Sequence, residues 1–265
     1  MKCIICDNEN ESKSVEHIVP ESFGNKDYVM QKGEICDECN NMFSKFENKA
    51  LSNTIFVMER ARFGIKTKKG KPAKGRIKEL EIEGSKDLTP SLIGVVGLNS
   101  GNFKNYNPIT KTGDLYVSSF DKSESATAKL LLKIGVESIY KSQHKIYEKY
   151  NFQDLKDHLK GKTNTDWSFI RTDLEIEKFT SVLRYIDKHK LKNKHYNLGL
   201  LEVDENTLLF KFKFGAVAMV INLVNKNNKW IESFYQKDNS ISIFPEHIKN
   251  KIVILFENKT GNVEK

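Results

Sequence analysis

Residues Val15–Ser22 read VEHIVPES, and the stretch lies between two identical spacings, Cys3-x-x-Cys6 and Cys36-x-x-Cys39. These four residues are all the cysteines in the 265-residue chain. The chain opens MKCIICDNENESK, without the apolar run and small-residue cleavage site of a secretion signal. The cysteines are therefore expected to stay reduced in a cytoplasmic protein, and paired spacing then points to metal before disulfide. Four soft thiolates suit a closed tetrahedral Zn²⁺ site on Cys3, Cys6, Cys36 and Cys39. A lone Cys-x-x-Cys would carry little weight, because a redox dithiol has the same spacing.

Inside the loop that the cysteines close, SKSVEHIV reads as a short strand stopped by Pro20, and DYVMQKGEI as its return. CDECNNMFSKFENKAL then opens a helix, with Asp37 as the expected N-cap and Phe43, Phe46, Ala50 and Val57 on its apolar face. Glu16 and His17 thus end one strand, while Asn40 begins the helix directly behind the second cysteine pair. An acid, an imidazole and an amide are expected to converge. Neighbours in a regular strand point to opposite faces, so Glu16 and His17 share one site only if the strand bends near Pro20 and Gly24.

The pattern C-x-x-C … EHIVPESFGN … CDECNN resembles the HNH family of nucleases, in the subset that carries a four-cysteine zinc frame. The resemblance covers roughly residues 1–50. It implies a ββα-metal module that hydrolyses phosphodiester bonds, with His17 as general base and Glu16 and Asn40 as ligands of a catalytic divalent metal. It also implies a nucleic-acid partner, with DNA favoured, and a role in phage restriction or mobile-element biology. The residue types suit that chemistry. A neutral imidazole accepts a proton near neutral pH, and the hard oxygens of Glu16 and Asn40 suit Mg²⁺ or Mn²⁺. The family's middle residue, an Asn on the second strand that orients the base, has no match in DYVMQKGEI; Asn25 falls too early, and Gln31 and Lys32 are poor substitutes. Glu47 sits nearly two helical turns beyond Asn40 and is expected on the helix surface or behind the site.

The charge pattern adds a partner class. The net charge is +8, and the stretch Arg60–Lys78 holds nine Lys or Arg and no acid. Clustered cations gain affinity for polyanions by counterion release, which makes Lys66, Lys68, Lys69 and Lys71 candidate phosphate contacts. A solvated basic loop remains the alternative for this run.

Three regions are expected: residues 1–59 as the zinc-framed module, 60–114 as a basic, turn-rich connection, and 115–265 as an α+β partner domain. In the last, SATAKLLLKIGVESIYKS places Ala128, Leu131, Leu132, Gly135, Val136 and Ile139 on one helical face. FGAVAMVINLV is too short to span a bilayer and reads as a buried strand. Helical and strand-like segments do not alternate regularly, which disfavours a doubly wound sheet. No catalytic motif stands out here, and His144, His158, His189, His195 and His247 read as surface or structural. The expected fold class is α+β. The expected function is an HNH-type endonuclease, and the alternative is a catalytically inactive, zinc-stabilised nucleic-acid-binding protein.

Overall fold

A computed structural model describes residues 1–67, 69–77, 79–97, 103–116, 119–172, 179–184, 187, 195–238 and 240–260. Two helices, α1 (Asp37–Leu51) and α2 (Thr54–Arg62), follow the cysteine loop. Strands β1 (Lys74–Ile77), β2 (Leu80–Gly84) and β3 (Ile93–Val96) form a small antiparallel sheet, and β4 (Phe103–Asn107) with β5 (Thr112–Leu115) forms a separate hairpin. Helices α3 (Glu124–Ser142), α4 (His144–Lys149) and α5 (Gln153–Leu159) come next. Then follow β6 (Phe169–Arg171), β7 (Thr180–Ser181), β8 (Tyr196–Asp204), β9 (Thr207–Phe214), β10 (Val217–Asn222), α6 (Lys229–Tyr235), β11 (Ser242–Phe244) and α7 (Glu246–Thr260).

The C-terminal strands form one six-stranded sheet in the order β11-β6-β10-β9-β8-β7, with every pair antiparallel. The fold is mixed helix and sheet without a doubly wound core, as the irregular order of segments predicts. Alternation along the strands sorts side chains to two faces. Leu198, Phe210, Phe212, Phe214, Met219 and Ile221 belong to the core shared with α3 and the N-terminal module. Ile170, Leu209, Val220 and Ile243 face the other way, against Trp230, Ile231 and Phe234 of α6 and Ile252 of α7. With both faces covered, β10 is buried at every position, which explains why its sequence is a continuous apolar run.

Helix α3 departs from expectation. Instead of one apolar face it is buried nearly all round, Thr127, Lys133, Glu137, Ser138 and Ser142 included. The reason is its position: α1 packs on one side, β9 and β10 on another, and α4 and α5 beside them. Gly135 lets the sheet approach, since a Cβ there would lie 2.6 Å from Leu223 Cδ2 and 3.1 Å from Phe210 Cδ1.

The single helix expected to run from Asp37 through Val57 is broken at Ser52–Asn53. Asn53 is fully buried and explains the break. Its Nδ2 donates to the Ala50 carbonyl (2.9 Å) and Thr127 Oγ1 (3.0 Å), while its Oδ1 accepts from the Lys122 (2.8 Å) and Ser123 (3.1 Å) amides. Such short polar side chains compete with helical backbone bonding and turn the chain. Phe23 makes a second link. It is fully buried with its ring centroid 5.2 Å from Phe56, 5.3 Å from Phe212 and 4.5 Å from Phe214. The short 3₁₀ turn Glu21–Phe23 that follows VEHIVP is thereby pinned to the C-terminal sheet.

Gly135→Ala is expected to destabilise the protein. Ala gains about 1 kcal/mol of helix propensity over Gly, but overpacking a filled core costs about 1–3 kcal/mol. Chemical denaturation should show a lower midpoint with an unchanged slope.

Candidate functional site

The four cysteine sulfurs all lie within 4.8 Å of one another, and Cys6 Sγ is 3.7 Å from Cys36 Sγ. A tetrahedral ion with Zn–S bonds of about 2.3 Å would space its sulfurs by about 3.8 Å, and a disulfide by about 2.05 Å. The cluster therefore fits zinc and not a disulfide. Cys3, Cys36 and Cys39 are buried and Cys6 is half-buried. The Cys39 thiol beside Cys3 pulls the Cys3 pKa down to about 4, and Cys39 is itself pushed up by that contact. The second knuckle also begins α1. Cys36, not Asp37, is the N-cap, and its Sγ accepts from the Cys39 amide at 3.4 Å.

Asp37 takes another task. Its carboxylate accepts from the backbone amides of Lys13 (3.0 Å) and Ser14 (3.0 Å) and from the hydroxyls of Ser12 (2.9 Å) and Ser14. Those contacts, the Ser14 hydroxyl first, hold its pKa below the usual carboxylate range. Asp37 thus ties the segment entering VEHIVPES to the first turn of α1. The two expected strands shrink to one antiparallel bridge, His17 with Val29, flanked by Ile18 N–Tyr28 O (3.2 Å) and Met30 N–Glu16 O (2.9 Å). Asn25 closes the hairpin from inside. It donates to the Val19 (2.6 Å) and Tyr28 (2.8 Å) carbonyls and accepts from the Tyr28 amide (3.0 Å) and the Tyr196 hydroxyl (3.2 Å).

Strand alternation decides where the acid and the imidazole go. Glu16 is 6% exposed and turned inward. The His17 side chain is 29% exposed, with Nδ1 buried and Nε2 3.4 Å from Glu21 Oε1. Glu21 is the partner of His17 that the sequence reading missed; its i+4 position in EHIVPE was the available signal. Asn40 is half-buried, and its Nδ2 donates to Ser14 Oγ at 3.1 Å, so the amide is oriented by the segment that Asp37 anchors.

The Glu16 carboxylate meets a group from the middle of the chain. Lys133 of α3, with no exposed side-chain surface, pairs with Glu16, with Glu47 at 3.1 Å and with Glu137 at 3.3 Å. It also donates to the main-chain carbonyls of His17 (2.6 Å) and Ile18 (3.3 Å). Burial pushes the Glu137 carboxyl well above its ordinary range, with Lys133 opposing the shift. Glu47 therefore stands behind the hairpin as a partner of Lys133. A Lys and a Glu four residues apart in the apolar run KLLLKIGVES were the sequence signal for this cluster. Among the described residues, the cysteines form the one group of three or more His, Cys, Asp or Glu side chains placed to hold a metal ion, since the three carboxylates here gather around an ammonium. Glu16 and Asn40 offer hard oxygens for a divalent ion, whose further ligands would be water and substrate phosphate.

The basic run is divided. Arg60 is buried in α2, Arg62 pairs with Glu59 at 2.5 Å, and Lys74 pairs with Glu81 at 2.6 Å. Lys66, Lys69 and Lys71 are exposed around a tight turn, closed by Thr67 N–Lys71 O at 2.7 Å with Gly70 at φ 73°. Lys68 lies outside the described residues. Of the other histidines, His158 is buried near Trp167 and is lowered to about 4 by burial, and His195 stacks on Phe63 at 4.6 Å. His144 and His247 lie beside Glu148 and Asp166, and His189 lies outside the described residues.

Purified protein is expected to contain one zinc per chain by elemental analysis. Cys36→Ser should lose it, along with thermal stability, because structural zinc contributes folding energy directly. A zinc-free protein with wild-type stability would remove the metal from this frame.

Residues 3–56 match the model of the HNH endonuclease family. No curated protein and no solved structure matches the chain at a significant level. The match spans both cysteine knuckles, the Glu16–His17 hairpin and α1, and no helix among the described residues is long and apolar enough to cross a membrane. The N-terminal part of this chain is therefore an HNH endonuclease domain, built on a four-cysteine frame.

Proposed function

We propose that the protein is a metal-dependent nuclease that hydrolyses phosphodiester bonds of DNA, with its catalytic residues in the 3–56 module. The carrying observation is the half-exposed His17, held beside Glu21 on a hairpin fixed by the cysteine frame. With the hydrogen on buried Nδ1, Nε2 is the nitrogen that takes the proton of the attacking water. Glu21, 3.4 Å away, then stabilises the imidazolium. Asn40 and Glu16 are the oxygen donors for the catalytic divalent ion, Mg²⁺ or Mn²⁺, which supplies positive charge at the scissile phosphate. Ser14 holds the Asn40 amide in place, and Lys133 holds Glu16. Resemblance to standalone members of the family supports a role in phage restriction or mobile-element biology in the cytoplasm.

One observation favours a second reading, an inactive nucleic-acid-binding protein. Glu16 turns inward, opposite to His17 on the alternating strand, and its carboxylate already pairs with a buried ammonium that a divalent ion must share or displace. Cleavage of supercoiled plasmid with Mg²⁺ or Mn²⁺ separates the two. His17→Ala is expected to keep zinc and DNA binding while turnover falls on the order of 10²–10⁴-fold, the contribution of a positioned general base. Asn40→Ala and Glu16→Gln should instead need more Mn²⁺ and recover part of their activity there. Gln is chosen because Glu16→Ala would strip a buried ammonium of a partner, at about 3–5 kcal/mol, and confound metal loss with unfolding. Equal plasmid cleavage by wild type and all three variants would place the site elsewhere.

The exposed Lys66, Lys69 and Lys71, together with Lys68 of the same run, are proposed to contact phosphates. Neutralising all four together should weaken DNA binding and flatten its dependence on salt, since each phosphate contact adds to the slope. The comparator is the trough lined by Lys45, Lys49, Lys129 and Lys160 between α1, α3 and the end of α5. If only the comparator set lowers the salt slope, the polyanion surface lies there.

A further inference from the structure

We propose that Lys133 is a positioning residue of the nuclease site: its ammonium clasps the Glu16 carboxylate and the main-chain carbonyls of His17 and Ile18, so the Glu16–His17 segment keeps its working geometry only while helix α3 is packed against it. The proposal rests on the nuclease reading of His17 and extends it to the C-terminal region, outside the family match.

A buried ammonium needs acceptors for three donors. Glu137, one turn away on α3, and Glu47 of α1 would supply two of them without involving the hairpin. The ammonium instead reaches His17 O at 2.6 Å, Ile18 O at 3.3 Å and the Glu16 carboxylate. Three consecutive residues of the family motif are thus held by one side chain from a helix more than a hundred positions later. The hairpin depends on such outside support. Its ladder is one bridge with two flanking hydrogen bonds, and a two-stranded hairpin is marginal in water by itself. Asp37 grips residues 12–14 and Asn25 grips residues 19 and 28, which leaves the carbonyls of His17 and Ile18 to Lys133. The same α3 also accepts the Tyr28 hydroxyl at Ser142 Oγ, 2.8 Å, so both arms of the hairpin dock on one helix. The chemistry needs His17 placed against a water and a phosphate, and a misplacement of about 1 Å can lower a rate about 10²-fold.

The test uses the zinc-loaded full chain with Lys133→Met and with Lys133→Met/Glu137→Leu, in which part of the buried charge cluster is replaced by apolar side chains. Lys133→Met leaves three carboxylates without their buried counter-charge, and Glu137→Leu removes the most deeply buried of them. Ile231→Ala, in the apolar cluster on the opposite face of the sheet from α3, serves as a stability control. Single-turnover cleavage and amide hydrogen exchange are measured on each. Both Lys133 variants are expected to keep zinc, to lose on the order of 10² in cleavage rate with little change in KM, and to lose exchange protection first at the Ile18 and Met30 amides. The control should lose global stability without that local change. A folded double variant that cleaves at the wild-type rate, or unchanged protection at Ile18 and Met30, overturns the proposal. Failure of both variants to fold also overturns it, since Lys133 is then a folding residue. If wild type itself never cleaves, the nuclease reading fails, and the exchange measurement still decides whether Lys133 positions the hairpin.

Discussion

Taking an ammonium fully out of water is costly unless carboxylates and hydrogen-bond acceptors replace the solvent around it. Lys133 has no exposed side-chain surface, and Glu16, Glu47 and Glu137 converge on it from three separate parts of the chain. Burial works against its charge, but the three carboxylates outweigh burial and hold its pKa above the ordinary lysine value. The cluster therefore works only when hairpin, α1 and α3 are all in place. Replacing a pair of this kind by apolar side chains often costs nothing, so its presence argues more for specificity of arrangement than for stability.

The HNH domain is small and has a minimal sheet, so its shape is imposed by staples. The cysteine frame joins residues 3–6 to the start of α1, and Asp37 joins residues 12–14 to the same turn. Phe23 carries the end of the motif into the aromatic core beside Phe212 and Phe214, and Asn53 bonds the turn after α1 to the start of α3. Each device uses a different chemistry: thiols placed to hold a metal, charge-assisted hydrogen bonding, apolar burial and neutral polar bonding. One apolar cluster accordingly contains residues from Cys3 to Val224.

The cysteine sulfurs and the acid–imidazole motif occupy different surroundings. The four sulfurs gather in one cluster, three of them on buried residues, and a closed tetrahedral ion there would leave no opening for substrate. The His17 imidazole and the Glu21 carboxylate reach solvent, and Asn40 is half-buried. Glu16 sits between these worlds, as a motif residue whose carboxylate faces the core.

Much of this was legible in the order of residues. Cysteine spacing specified the frame because ligands two residues apart can turn onto one ion whatever the rest of the chain does. The EH pair, Pro20 and Asn40 behind Cys39 marked the family through local chemistry, and the continuous apolar run of β10 marked a buried strand. Other features depended on the third dimension. That α3 is buried on every side, that Lys133 reaches back to Glu16, and that Asn53 breaks the helix through Thr127 and Ser123 are consequences of long-range packing. A lysine within an apolar helix has the same local propensity whether its ammonium meets water or three carboxylates. Only the tertiary structure, by removing the water, decided which.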